Sequence, residues 1–148
     1  MKQATTKTIL LAEDDDDDYL LFREAIKDHD EPVTLNWVKD GDELMKILKH
    51  DKAEIPDMIF LDINMPRRNG FECLTEIRRE EALKHLPVII FSTSNDSALV
   101  SWMYNSGANL YLCKPTDFHQ LKTAIQKAIA MDWQKQTPYP PVNNFILG

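Results

Sequence analysis

The chain has 148 residues, of which 43% are hydrophobic and 28% are charged, and its formal net charge is −7. That length predicts one globular domain, and the negative charge argues against non-specific binding to nucleic acid or anionic membranes. No apolar run approaches the roughly 20 residues of a membrane-spanning helix, and the first run is too short for a signal peptide. Cys73 and Cys113 show no CxxC spacing, which indicates packing roles in a reducing compartment. We therefore expect a cytoplasmic protein.

Apolar runs typical of strands alternate along the chain with segments of helical period. In chain order, the runs predict strands at residues 8–12, 34–38, 58–61, 87–91 and 110–113. Apolar stripes after each run predict five helices, whose inward faces include, in order, Phe22, Leu44, Leu74, Met103 and Ile125. Asp40 and Asp117 are the predicted N-caps of the second and fifth helices, and Gly107 is the predicted C′ residue of the fourth.

Five successive strand–helix units predict a parallel sheet with right-handed crossovers. In such an open sheet, ligands bind outside the carboxyl ends of the strands, at the topological switch point. The order of the elements therefore indicates where functional residues should lie. Residues 132–148, which contain three prolines, are predicted to form a tail separate from the domain at residues 7–131.

The carboxyl ends of four predicted strands carry polar residues of complementary chemistry. The first strand is followed by Glu13 and Asp14, the third by Asp62 and Asn64, the fourth by Ser92 and the fifth by Lys114. Three neighbouring carboxylates repel one another, and a bound Mg²⁺ would relieve that repulsion through oxygen coordination. A metal, a lysine, a hydroxyl and a carboxylate nucleophile are the groups required for phosphoryl transfer to aspartate.

Each of these residues, taken alone, also has a purely structural interpretation. An acidic run such as residues 13–18 is more often a solvated helix start, and residues 16–18 fit the first helical turn, where negative charge favours the dipole. Single residues such as Asp62 and Lys114 are commonplace at strand ends. The functional interpretation depends on all four strand ends carrying these groups in this order.

From about residue 7 to residue 131, the sequence resembles the receiver domain of two-component response regulators. The resemblance lies in ILLAEDD at the first strand, PDMIFLDINMPRRNG at the third, LPVIIFSTS at the fourth and GANLYLCKP at the fifth. It implies a flavodoxin-like (βα)5 fold, α/β and doubly wound, with a five-stranded parallel sheet in the order 2-1-3-4-5. The acidic start of the first helix and the SNDS stretch also resemble small, stand-alone regulators paired with bacterial phytochrome-type kinases.

The resemblance implies roles for the acidic residues and the lysine. Asp62 would be the phosphoacceptor, and Lys114 would pair with the phosphate. Mg²⁺ would be held by Asp62, directly by Asp14, through water by Glu13, and by the backbone carbonyl of Asn64.

The resemblance also implies a switch near the fourth and fifth strands. Ser92 would bind the phosphoryl group and move toward it on activation, and Tyr111 would change rotamer with it. The bond between Lys114 and Pro115 would be cis, although X–Pro bonds are usually trans.

The end of the sequence bears on output and assembly. Only about 17 residues follow the predicted fifth helix, too few for a DNA-binding domain, so we expect signalling through protein contacts. The expected partners are a sensor histidine kinase or phosphotransfer protein and a downstream protein. Trp102 and Tyr104 are candidate interface aromatics. The apolar tail, with Trp133, Tyr139 and residues 145–147, is expected to pack on its own domain or to form a homodimer.

Two other protein classes share parts of this pattern. A haloacid-dehalogenase-type phosphohydrolase would use Asp62 as its nucleophile, but it needs a second acid where this chain has Asn64. A flavodoxin-type binding module needs a Ser/Thr/Gly-rich phosphate loop where this chain has Glu13 and Asp14. We therefore predict a phosphoacceptor rather than an enzyme, with the phosphohydrolase as the alternative.

Overall fold

In the computed structural model, which describes residues 6–50, 55–131 and 145–147, strands and helices alternate along the chain. The strands are β1 (Lys7–Ala12), β2 (Val33–Val38), β3 (Met58–Leu61), β4 (Val88–Ser92), β5 (Leu110–Cys113) and β6 (Ile146–Leu147). The helices are α1 (Asp16–Ile26), α2 (Gly41–His50), α3 (Gly70–Arg79), α4 (Ser97–Asn105) and α5 (Phe118–Ala130). The predicted strands and helices are present, and each predicted strand boundary is within one residue of the observed one.

All the strands pair in parallel in one sheet with the order β2-β1-β3-β4-β5-β6. The flavodoxin-like order 2-1-3-4-5 is therefore confirmed, and β6 adds a strand at the β5 edge that the sequence analysis did not predict. The chain leaves β1 in one direction to β2 and later returns on its other side to β3. The carboxyl ends of β1 and β3 consequently flank the switch point, where ligands bind in sheets of this kind.

Helices cover both faces of the sheet, which explains why the central strands are continuous apolar runs. Ile9 and Leu11 of β1 point into the layer formed with α1 and α5. Leu10 and Ala12 point into the opposite layer, formed with α2, α3 and α4. Successive side chains of a strand alternate between faces, so one apolar strand contributes to both core layers.

The three predicted helix-terminal residues occupy the positions expected. The Asp40 carboxylate accepts a hydrogen bond from the Glu43 amide at 2.7 Å, and Asp117 accepts one from the His119 amide at 2.7 Å. Gly107 follows the last cap residue of α4 with a φ of 101°, a left-handed conformation that favours glycine. These residues determine where α2 and α5 begin and where α4 ends.

The described residues contain no cis peptide bond, so the bond between Lys114 and Pro115 is trans and the expectation of a cis bond is wrong. The trans form of an X–Pro bond is favoured by about 0.5–1 kcal/mol, and the local chain adopts this intrinsic preference. The Lys114 amide donates to the Ser92 carbonyl at 2.7 Å, which extends the pairing of β4 and β5 to the residue before the proline.

The described part of the tail packs on the chain's own sheet. The Tyr111 amide donates to the Phe145 carbonyl at 2.9 Å, and β6 continues the sheet from there. The fully buried Phe145 ring packs edge-on against Tyr104 and Tyr111, at centroid distances of 5.1 and 6.2 Å. Trp133 and Tyr139, in contrast, lie outside the described residues. None of the helices described here combines the length and the apolarity needed to cross a membrane.

Candidate metal centre

Three carboxylates converge at the carboxyl ends of β1 and β3. Glu13 and Asp14 follow β1, and Asp62 follows the adjacent β3. One oxygen of each carboxylate lies within 4.8 Å of the corresponding oxygens of the other two. Glu13 is fully buried and Asp62 is 8% exposed, whereas Asp14 is exposed to solvent. The structure thus brings together the three acids that the sequence analysis selected from a run of acidic residues.

Backbone hydrogen bonds of the sheet hold the two buried acids in place. The Asp62 amide donates to the Ala12 carbonyl at 3.0 Å, and the Glu13 amide donates to the Val38 carbonyl at 3.0 Å. The Trp37 indole N–H donates to the Glu13 carbonyl at 2.8 Å. Backbone hydrogen bonds to neighbouring strands therefore hold the two buried acids directly at the edge of the sheet.

The loop after β3 is shaped around Asp62. The Asn64 amide donates to Oδ1 of Asp62 at 3.3 Å, and the Gly70 amide donates to the Ile63 carbonyl at 2.9 Å. A Cβ atom at Gly70 would overlap the Asp62 carbonyl oxygen, so this position needs the close backbone approach that glycine allows. Asn69, the residue before, caps α3 reciprocally with Glu72.

The electrostatics of the three acids show the cost of placing them together. Burial, and then a hydrogen bond with Asp62, raise the pKa of Glu13 to about 9. Burial and the charge of Asp62 also raise the pKa of Asp14 above its ordinary value. In addition, Oε2 of Glu13 is buried and has no hydrogen-bond partner among the described residues. A buried carboxyl oxygen with no hydrogen-bond donor, next to two further carboxylates, is electrostatically unfavourable unless a positive group binds there.

The same features fit a divalent cation. Oxygen-only ligands from several carboxylates are what Mg²⁺ and Mn²⁺ prefer, and a cation there would bind the unpartnered oxygen of Glu13. Asp14, the exposed member of the three, leaves the cluster accessible from solvent. Glu13, Asp14 and Asp62 are therefore the side chains that could hold the metal.

Lys114 provides the positive charge of the site. Its ammonium donates to Oε1 of Glu13 at 2.5 Å and to Oδ2 of Asp18 at 2.8 Å, and it lies 4.5 Å from the centroid of the Phe91 ring. Burial by itself lowers the pKa of Lys114, but the hydrogen bonds with Asp18 and Glu13 raise it overall. Within the described residues, Lys114 makes no ion pair with Asp62 shorter than 4.0 Å.

Asp18 is a site residue that the sequence analysis missed, because it assigned residues 16–18 to the solvated start of α1. The signal that could have identified Asp18 is helical phase. Residues four and seven positions later, Phe22 and Ala25, belong to the buried face of α1, so Asp18 shares that face. Asp16 is instead largely exposed and pairs with Lys39.

Both predicted switch residues bond Ser94, which lies just after the end of β4. The Ser92 hydroxyl accepts a hydrogen bond from the Ser94 amide at 3.2 Å, and the buried Tyr111 hydroxyl donates to the Ser94 carbonyl at 2.6 Å. Burial raises the pKa of Tyr111, and a hydrogen bond with the Ser92 side chain partly opposes that shift. Ser92 and Tyr111 are thus linked through Ser94, which bonds both of them.

Residues 9–126 match the response regulator receiver domain, and the chain belongs to that family. The chain is 31% identical to the response regulator Rcp1 of Synechocystis over 138 residues, which cover 90% of this chain and 93% of Rcp1. It is 30% identical to the probable methanogenesis regulatory protein FilR2 of Methanothrix harundinacea over 122 residues, 80% of this chain and 79% of that protein.

Solved structures show the same relationship. The phosphorylated cyanobacterial phytochrome response regulator RcpA is 33% identical, with a TM-score of 0.78 covering 84% of this chain and 91% of that one. The Mn²⁺-bound form of response regulator Rcp1 is 30% identical, with a TM-score of 0.78 covering 91% and 99%. The predicted resemblance to receiver domains and to the small phytochrome-associated regulators is confirmed, and the phosphohydrolase alternative has no support.

Proposed function

We propose that this protein is a single-domain response regulator that accepts a phosphoryl group on Asp62 with Mg²⁺ and signals through protein contacts. The observation that carries the proposal is the buried Asp62 carboxylate, which lies with Glu13 and Asp14 at the switch point of a receiver-family sheet. Asp62 therefore lies where ligands bind in sheets of this kind, which supports its proposed role as the phosphoacceptor.

The transfer requires only the donor, the acceptor and charge neutralisation. A carboxylate oxygen of Asp62 attacks the phosphorus of a phosphohistidine or an acyl phosphate. A P–O bond to Asp62 forms while the bond from phosphorus to the donor nitrogen or oxygen breaks, and its electron pair leaves with the donor. Mg²⁺ held by Glu13, Asp14, Asp62 and the Asn64 carbonyl would neutralise charge on the phosphoryl oxygens.

Residues of this chain would complete the site around the phosphoryl group. Lys114 would supply a positive charge from the β5 side, and Ser92 would donate a hydrogen bond from the end of β4. The same groups would assist hydrolysis of the acyl phosphate, so the protein would help to remove its own modification. It would act as a phosphoacceptor rather than as an enzyme on a separate substrate.

Output would depend on the link between Ser92 and Tyr111 through Ser94. If Ser92 moves to bond the phosphoryl group, its hydrogen bond with the Ser94 amide changes, and Tyr111, which donates to the Ser94 carbonyl, can adopt a new rotamer. Phosphorylation shifts the population only as far as the phosphoryl group prefers one of the two arrangements. The surface around α4, β5 and α5 would report the change to a downstream protein in the cytoplasm.

The phosphodonor would be a sensor histidine kinase or a phosphotransfer protein. The similarity to RcpA, a cyanobacterial phytochrome response regulator, favours a phytochrome-type kinase. A homodimer formed through the tail is a separate hypothesis. Light scattering of the full chain and of a chain ending at Asp132 tests it: a dimer lost on truncation supports the hypothesis, and monomer masses for both exclude it.

The function is tested by incubating the protein with acetyl phosphate and Mg²⁺ and measuring its intact mass. We expect the wild type to gain one phosphoryl group that is stable in acid and labile in base, and Asp62→Asn to gain none. Asp57→Asn is a matched control, because Asp57 lies before β3, at the other end of the strand, and bonds the Thr8 amide. Equal modification of the wild type and Asp62→Asn, or modification of neither, would overturn the proposal.

A further inference from the structure

We propose that Asp18 is a positioning residue that restrains the Lys114 ammonium on the α1 side of the site before phosphoryl transfer. The inference rests on the proposed phosphorylation of Asp62 and deepens it, because it identifies a residue that controls where the lysine charge stands. It assigns a role to one member of an acidic run that otherwise serves as a helix start.

The contacts of Lys114 show which groups hold it. Two carboxyl groups accept hydrogen bonds from the ammonium, Glu13 at 2.5 Å and Asp18 at 2.8 Å, and the Phe91 ring lies beneath it. The Lys114 side chain is only 9% exposed, so water offers little competition for these bonds. Asp62 exerts a Coulombic attraction on Lys114 but forms no ion pair with it within 4.0 Å in the described part of the chain.

The local structure of α1 gives Asp18 its direction. The N-cap Asp15 accepts hydrogen bonds from the Asp17 amide at 2.8 Å and the Asp18 amide at 3.1 Å, which fixes the first turn. The Asp18 side chain is 30% exposed and faces Lys114, whereas the Asp16 side chain is 69% exposed and faces Lys39. The first turn therefore presents one carboxylate to the site and keeps its neighbours in solvent.

A restraint on Lys114 has a consequence for the reaction. To pair with a phosphoryl group on Asp62, the Lys114 ammonium must weaken or break its hydrogen bond with Asp18. Breaking that bond costs free energy, which opposes the movement of the ammonium toward Asp62. A cation in the carboxylate cluster would attract Glu13, which would leave Asp18 as the anionic partner of Lys114 outside that cluster. Removal of the Asp18 charge should therefore free the lysine and speed phosphorylation.

The substitution that tests this is Asp18→Asn, which keeps the shape of the side chain and removes its charge. If the ion pair of Asp18 with Lys114 is as strong as a typical solvent-accessible ion pair, its loss should make phosphorylation by acetyl phosphate about two- to fivefold faster. Asp17→Asn is the matched control, because it removes the same charge one residue away, where the side chain does not reach Lys114. We expect the control rate to stay close to that of the wild type.

A double-mutant cycle separates positioning from a general effect of charge. In a Lys114→Met background, Asp18→Asn should leave the residual phosphorylation rate unchanged, because the residue that Asp18 restrains is gone. Acceleration that persists without Lys114, equal acceleration by Asp17→Asn, or a slower rate in Asp18→Asn with Lys114 present would each overturn the proposal.

A second measurement does not depend on phosphorylation. In the metal-free protein, the ¹⁵N NMR signal of the Lys114 ammonium should shift in Asp18→Asn and stay in place in Asp17→Asn. An unmoved signal in Asp18→Asn contradicts the restraint. If the wild type were not phosphorylated on Asp62 while the signal moved as expected, the proposed function would fail and the contact between Asp18 and Lys114 would stand.

Discussion

At the scale of single residues, Glu13 is held where a negative charge is costly. Its side chain is fully buried, and one of its oxygens has no hydrogen-bond partner in the part of the chain that the structure describes. Burial and the neighbouring Asp62 raise its pKa from 4.5 to about 9. In the unfolded chain the same carboxyl is hydrated and has its ordinary pKa. Between these two values, the folded protein consequently binds a proton that the unfolded chain has released.

This difference predicts how the stability of the metal-free protein depends on pH. The free energy of unfolding should fall as pH rises from 4.5 toward 9, because the folded state binds more protons than the unfolded state in that window. Glu13→Gln lacks this titrating group. Near pH 8 its free energy of unfolding should therefore exceed that of the wild type by at least about 1 kcal/mol, and the two free energies should converge in acid. Urea unfolding in the presence of a chelator measures both.

Glu24→Gln provides the control for that experiment, because Glu24 lies on the exposed side of α1 and the substitution should leave the slope of the wild type intact. Identical slopes for the wild type and Glu13→Gln would contradict the assignment of this buried charge.

The sequence predicts Glu13, Asp14 and Asp62 well for a physical reason. Each follows an apolar strand directly, and neighbouring parallel strands bring their carboxyl ends to one edge. The sequence analysis missed Asp18, because the position of this residue in the site depends on the rotation of α1 about its axis. A charged residue in a first helical turn already has a sufficient explanation in the dipole, and that explanation concealed the contact with Lys114.

At the scale of elements, β6 connects the end of the chain to the proposed switch. Tyr111 pairs through its amide with Phe145, and its ring packs against the same residue. Tyr104 of α4 also packs edge-on against the Phe145 ring. A change in the rotamer of Tyr111 would therefore alter the packing of Phe145 and, with it, the position of β6.

The contribution of β6 can be measured with one substitution. Phe145→Ala removes a fully buried ring and should lower the free energy of unfolding by at least about 1 kcal/mol, since loss of a buried aromatic leaves a cavity or releases the tail. Ile146→Ala is the control, because Ile146 is 52% exposed and its truncation should change stability by less than about 0.5 kcal/mol. Equal effects in urea unfolding would contradict the packing of Phe145.

The sequence could not predict β6, although it predicts the other strands to within one residue. Those strands are four to six residues long. β3 and β4 are buried throughout and read as continuous apolar runs, and the partly exposed β2 shows a clear apolar alternation. β6 has two residues, and its pairing with β5 joins parts of the chain that are distant in sequence. Two apolar residues near the end of a chain do not carry enough periodicity to indicate a strand.

At the scale of the whole molecule, the alternation of strands and helices determines most of the architecture. Apolar runs buried on both faces predict a parallel sheet, and the resemblance to receiver domains implies the order that the structure shows. The switch point that follows from this order contains the acidic cluster. The bond before Pro115 has the trans form that X–Pro bonds usually adopt, whereas the cis form was expected only from the resemblance to receiver domains.

The most direct test of the central claim is to identify the residue that carries the phosphoryl group. Borohydride reduces an aspartyl phosphate to homoserine, which peptide mass spectrometry can locate in protein treated with acetyl phosphate and Mg²⁺. We predict homoserine at position 62 in the wild type and no reduced residue in Asp62→Asn. Reduction at Asp14, Asp57 or another carboxylate, or no reduction while a known receiver domain reacts under the same conditions, would contradict the assignment of Asp62 as the phosphoacceptor.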